Sequence, residues 1–202
     1  MEDHFELCEE RLQEHNRRRI ARVQESVISE WIDASISNDF AYMFEMAKKC
    51  AASEHHLACF MGVFCTDKEL VASDTHEILV MACDNIPAEL QYKVVIKLDG
   101  QKAGITTATY PEYKHLFSLP NYESVDLEQL EIGPPMKTYF HAWQVIRYGD
   151  FSTRIAQRYL HLMQSVLTGK ISCSYPRDCA ASKPVLFAGE NGRMLIMPLV
   201  GE

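Results

Sequence analysis

The chain has 202 residues, 47% hydrophobic and 24% charged, the balance of an ordinary globular protein and not of a disordered or fibrous one. Its 20 Lys and Arg against 28 Asp and Glu give a net charge of −8, which excludes the globally basic footprint of a non-specific nucleic-acid or anionic-membrane binder. No apolar run reaches the about 18 residues of a membrane helix, and the seven cysteines follow no framework spacing, so they read as reduced thiols.

The acidic start, Met1-Glu2-Asp3-His4, lacks the layout of a secretory signal, which with the thiols points to the cytoplasm or the nucleus. There is no repeat, low-complexity tract or Gly/Ser linker. The expectation is one domain over 1–202, with a helical part, 1–55, packing on an α+β core, 56–202.

Ile20, Val23, Val27 and Trp31 recur at helical steps, and Glu14 with Arg18 forms a favourable i,i+4 pair, so a first helix of about thirty residues is predicted. Asn38 or Asp39 would cap a second helix that buries Phe40, Phe44 and Ala47. Leu57 to Cys65 and Ile78 to Cys83 are short continuous apolar runs, as in strands buried on both faces. An Asp99-Gly100 turn predicts a hairpin with Leu98 facing Gln101, Ile96 facing Ala103 and Val94 facing Ile105.

Residues 111–135 carry four prolines and little periodicity and read as a long acidic connection, a place to look for a binding surface. Thr138 to Ile146 reads as a strand. Ser152 would cap a long helix running to Thr168 and stopped by Gly169, with Ile155, Tyr159, Leu162 and Val166 on its apolar face. Val185 to Ala188 and Met194 to Met197 would close a hairpin through Asn191-Gly192, setting Glu190 across from Arg193. The sum is an α+β fold: a helical N-terminal region, a mostly antiparallel sheet of about six or seven strands, and one long helix before a C-terminal hairpin.

Four groups of residues carry candidate chemistry. Arg11, Arg17, Arg18 and Arg22, with Arg154 and Arg158 from the second long helix, present basic faces suited to a phosphate backbone such as that of duplex RNA. Cys50, His55, His56, Cys59 and Cys65, and separately Cys173 and Cys179, are zinc-ligand types without paired C-x-x-C spacing, so buried thiols are the simpler reading and no metal or cofactor is expected. Asp74, His76 and Glu77 lie close together before a strand and offer acid or base groups, yet no nucleophile elbow, phosphate loop, dinucleotide fingerprint or zinc-protease motif is present. The apolar positions Ile20, Val23, Val27 and Trp31 offer a helix face to a partner or a second copy.

The sequence therefore points to a non-enzymatic protein-interaction module that self-associates through its N-terminal helices into a homo-oligomer. Two alternatives stand beside it: RNA binding by the basic face, and a small enzyme of unspecified chemistry.

Overall fold

The computed structural model describes residues 2–137 and 142–199, the first nine of them by backbone alone. These residues form three α-helices and fourteen strands, an α+β arrangement. The N-terminal part is α1 (Glu2–Ser26), β1 (Glu30–Asp33) and α2 (Asn38–Lys48). The strands that follow are β2 (Val63–Cys65), β3 (Glu69–Ser73), β4 (Glu77–Ala82), β5 (Lys93–Asp99), β6 (Lys102–Thr106), β7 (Tyr122–Asp126), β8 (Glu131–Ile132), β9 (Met136–Lys137), β10 (Ala142–Tyr148) and β11 (Phe151–Ala156). Helix α3 (Gln157–Val166) and strands β12 (Ser172–Pro176), β13 (Val185–Ala188) and β14 (Gly192–Ile196) complete the order.

Ten strands make one antiparallel sheet in the order β1-β6-β5-β2-β3-β4-β14-β13-β12-β7, and β11, β10 and β8 make a second, with β9 also paired to β10. The strand number exceeds the six or seven expected. Strands such as β8 and β9 hold two residues each, too few for an alternating pattern to register. Two of the extra strands, β7 and β8, fall in the 111–135 stretch read as irregular. Of the strand expected over 138–146, residues 138–141 lie outside those described and the rest opens β10.

Alternation along β4 shows why the large sheet is buried on both faces. Leu79 and Met81 join a core with Phe40, Phe44 and Ala47 of α2, Tyr159 and Met163 of α3, and Ile146, Phe151 and Ile155 of the second sheet. Ile78 and Val80 point the other way, into a core with Met61, Val94, Ile96, Tyr110 and Leu195. The cap of α2 is Ser37, one residue earlier than expected, whose hydroxyl accepts from the Phe40 N–H.

Helix α1 ends earlier than its apolar spacing suggests. The Ser26 hydroxyl donates to the Val23 carbonyl, and three residues later Ser29 N–H donates to the Ile105 carbonyl, drawing the chain into β1. Trp31 thus lies on a strand, opposite Gly104, and not on the helix face with Ile20, Val23 and Val27. The helical step from Val27 to Trp31 is a coincidence of spacing; edge pairing with β6 satisfies the backbone there.

Helix α3 is also shorter than expected. Ser152 is a strand residue paired with Arg147, so it caps nothing, and the helix starts at Gln157. Pairing with β10 claims 151–156 because Phe151, Thr153 and Ile155 alternate into the core while Ser152 and Arg154 face out. Gly169 does adopt the left-handed conformation, φ 74°, beyond the helix end.

Both hairpins are displaced by one residue from the expected register. Asp99 pairs with Lys102 and Leu98 with Ala103, so Gly100 (φ 56°) takes the first central position of the turn, and a bulge follows between Val95 and Lys97. In the last hairpin Ala188 pairs with Arg193 and the Gly189 N–H donates to the Gly192 carbonyl, leaving Glu190 and Asn191 at the tip. Glu190 is therefore not opposite Arg193. Packing decides this register: a Cβ at Gly189 would come within 2.6 Å of the Thr168 carbonyl, and one at Gly192 within 2.5 Å of that of Val80.

Candidate functional site

The turn joining β3 to β4 is built by its own side chains. Asp74 Oδ1 accepts from the N–H groups of His76 (2.9 Å) and Glu77 (3.2 Å), an Asx turn that turns the chain sharply. Ser73 donates its hydroxyl to the Glu77 carbonyl and accepts from Thr75 N–H. Thr75 is left at φ 79°, a region β-branched residues rarely occupy. The other oxygen of Asp74 accepts from the Tyr159 hydroxyl at 2.7 Å and from Arg158 at 3.4 Å, which ties the turn to α3. Asp74 is thus a structural acceptor and not a free base.

Beside this turn opens a groove of about 560 Å³. One wall is the segment after β6, with Tyr110, Pro111, His115 and Leu116; the other is the turn and the end of β14, with His76, Leu195 and Met197; Phe60 and Pro184 close it. The Met197 N–H donates to the His76 carbonyl at 2.8 Å, locking β14 to the turn. The aromatic wall is rigid: Tyr110 stacks on Phe64 (5.2 Å, 6°) and meets Phe60 and Tyr113 edge-on, and the Tyr113 hydroxyl donates to Glu69 at 2.9 Å. Leu116 and Met197 are 40% and 43% exposed, so the groove has an apolar rim open to solvent.

Glu77 lines this groove and also a cleft of about 390 Å³ between the end of α2 and α3, beside Cys50, Asp74, Arg158 and Tyr159. It is 3% exposed, and neither carboxyl oxygen receives an N–H or O–H donor among the described residues; the Cys50 thiol alongside is a weak donor to it. Burial, reinforced by the Asp74 carboxylate, raises its pKa to about 9. The Tyr110 hydroxyl is likewise enclosed without a partner, and burial, then Glu77, pushes its pKa up.

Of the residues singled out from the sequence, Asp74, His76 and Glu77 form the β3–β4 turn, Cys50 and Arg158 line the cleft behind it, and the others lie elsewhere. Arg11 and Arg18 share a face of α1 with Glu14 and His15, and Arg17 and Arg22 are exposed on the same helix. Arg18 pairs with Glu14 at 2.8 Å and Arg19 with Glu54 at 2.9 Å. Arg154 stands on β11 with its guanidinium over Trp143, and Arg158 lies in the first turn of α3, so the six arginines do not lie on one helix face. Val23 and Val27 are half-buried against the core around Tyr110, whereas Trp31 is 43% exposed. Cys50, Cys59, Cys65 and Cys173 are buried free thiols, and no cluster of three or more metal-ligating side chains occurs among the described residues. No helix among them is long and apolar enough to cross a membrane.

Sequence reasoning missed Tyr110, Leu116 and Met197, although Pro111 to Leu116 belong to the stretch marked as a place to look for a binding surface. The available signal was large apolar side chains, Tyr110, Tyr113, Leu116 and Phe117, in a segment with no strand or helix pattern.

Neither a family model nor a curated protein sequence matches this chain. Solved structures do. The Helicobacter pylori beta clamp bound to a DNA ligase peptide superposes with a TM-score of 0.54 at 10% identity, over 84% of this chain and 65% of that one. Caulobacter crescentus pol III beta gives 0.55 at 12%, over 86% and 68%, and the DNA polymerase III beta subunit of Thermotoga maritima 0.54 at 13%, over 86% and 65%. The chain thus spans only about two thirds of the length of these proteins. At such identities the likeness speaks for architecture alone. The chain has a sliding-clamp-like fold.

Proposed function

We propose that this chain is a non-enzymatic interaction module that docks a short peptide segment of a partner protein in the groove between Tyr110–Leu116 and the β3–β4 turn. The observation that carries this reading is the groove itself, a rigid aromatic wall and an exposed apolar rim around a volume within the about 300–1,000 Å³ typical of ligand sites. Its size suits a few residues of extended chain placing bulky apolar side chains against Tyr110, Leu116 and Met197. The clamp of the same fold that was solved with a ligase peptide supports a peptide as the occupant.

The test is selection from a phage-displayed random dodecapeptide library. Enriched peptides should carry bulky apolar residues and lose at least about tenfold in affinity on Leu116→Asp and Met197→Asp, whose side chains are exposed enough to be changed without unfolding. Arg18→Glu on α1 should leave them unaffected. No enrichment, or enriched peptides indifferent to both groove variants, would sink the reading.

Self-association is supported by a separate observation. Among the described residues the ten-stranded sheet ends in β1 and β7, each paired on one side only, and β1 bears the exposed Trp31. In this reading Trp31 and Val27 form the contact, with Ile20 and Val23 behind them on α1. Sedimentation of the wild type and of Trp31→Lys decides it: a dimer or larger species shifted toward monomer by the substitution supports it, and a wild-type monomer at micromolar concentration ends it.

A further inference from the structure

Two polar groups are buried without an N–H or O–H partner among the described residues where the groove meets the cleft behind it. Glu77 lines both, its carboxyl oxygens enclosed with only the weakly donating Cys50 thiol beside them; the Tyr110 hydroxyl, on the groove's aromatic wall, is enclosed and unpaired. Leaving such a group unsatisfied costs about 1–3 kcal/mol, more for a charge, so a fold keeps one where something arrives to meet it. The groove lining holds two carboxylic side chains, Glu77 and Glu112, and no Lys or Arg. The whole chain carries −8. An incoming cation therefore finds acceptors in the lining, and the guanidinium beside that wall, Arg193, is held outside the lining over the Phe117 ring at 4.4 Å.

We propose that the docked segment brings a lysine or arginine whose side chain enters between Tyr110 and the β3–β4 turn and donates to the Glu77 carboxylate, with the Tyr110 hydroxyl as a second contact. This rests on the peptide-docking reading and names the specificity of that site. The remaining charged and titratable groups around Glu77 define the environment the cation enters. Asp74 and His76 belong to the turn, Lys49 and Cys50 to the end of α2, and Arg158 and Tyr159 to α3. Arg158 is engaged with Asp74 and also acts on Glu77, lowering its pKa; Lys49 is exposed and close to Met46, and Glu112, Tyr113 and His115 face Glu77 from the opposite wall of the groove. In the free protein the Glu77 carboxyl holds its proton at neutral pH, since burial and Asp74 raise its pKa. A docked ammonium or guanidinium reverses that balance and expels the proton to solvent, leaving a paired carboxylate.

The library selection supplies the probe. Peptides that bind the groove should share a Lys or Arg at one position, and a synthetic version with norleucine there should bind the wild-type protein at least about tenfold more weakly. On Glu77→Gln the two peptides should bind alike. Calorimetry at pH 7.5 in buffers of different ionisation enthalpy should show the basic peptide releasing close to about one proton from the wild type and none from Glu77→Gln. Groove-binding peptides without a shared basic residue, or equal affinities for the lysine and norleucine versions, would overturn this inference and leave the docking reading intact. That result would assign the enclosed pocket to ordered water. An absence of groove-binding peptides would remove both.

Discussion

Tyr159 on α3 donates its hydroxyl to Asp74 in the β3–β4 turn at 2.7 Å, joining residues 85 positions apart. Asp74 in turn receives the N–H groups of His76 and Glu77, so this one carboxylate connects the helix behind the sheet to the turn that forms one wall of the groove. The groove's geometry is held from the opposite side of the sheet.

Removing that hydroxyl should loosen the turn. Tyr159→Phe keeps the ring in the core and leaves Asp74 with Arg158, so a loss of ~1–2 kcal/mol is expected in urea unfolding. A second consequence is faster amide exchange at His76 and Glu77. Unchanged stability and unchanged exchange there would mean that α3 does not support the turn.

Glu77 makes stability pH-dependent in a defined direction. Its pKa is raised in the folded protein from the ordinary 4.5 to about 9. Between those values the unfolded chain holds fewer protons than the folded one, so the contribution of Glu77 is fully present below about pH 4.5 and is lost as pH rises toward 9. Glu77→Gln removes that loss. The variant should gain on the wild type as pH increases, by at least ~1 kcal/mol at pH 8, in paired chemical denaturation curves. Parallel pH profiles would show that Glu77 is solvated.

Thr75 occupies a left-handed conformation, φ 79°, at the centre of the same turn. The strain of a β-branched residue there, ~1–2 kcal/mol, exceeds the entropy cost of a glycine, ~0.5–1 kcal/mol. Thr75→Gly should therefore stabilise the protein by ~0.5–1 kcal/mol, measured as a higher urea midpoint at constant m-value. A lower midpoint would count against the strained turn.

Asn191 at the tip of the last hairpin bridges to the end of α3, accepting from Thr168 N–H and donating to the Val166 carbonyl, both at 2.8 Å. Asn191→Ala leaves two helix-end groups without these partners and should cost ~1–2 kcal/mol. Thermal unfolding of the variant measures it, and a midpoint equal to wild type would show that water replaces the bridge.

What could be seen in the sequence was what is decided locally. Phe40, Phe44 and Ala47 share a helical face whatever they pack against, and α2 was found within one residue of its cap. The helical reading of Trp31 failed because a periodic pattern continued past a turn fixed by a backbone bond to Ile105, far away in sequence. The register of the last hairpin depends on the contacts of Gly189 and Gly192 with Thr168 and Val80, and no Asn-Gly signal contains that information. The groove was hidden for the same reason: Phe60, His76, Tyr110, Leu116 and Met197 converge only when β3, β4 and β14 lie side by side. Glu77 stands out in the sequence only as one of the Asp74, His76 and Glu77 group of acid or base residues; its isolation arises from the walls around it.

The most direct test of the docking reading is hydrogen–deuterium exchange of the protein with and without a library-selected peptide. Protection confined to 73–78, 110–117 and 194–197 is the expected result. Protection on α1 or along β1, with those three segments unchanged, would contradict the account.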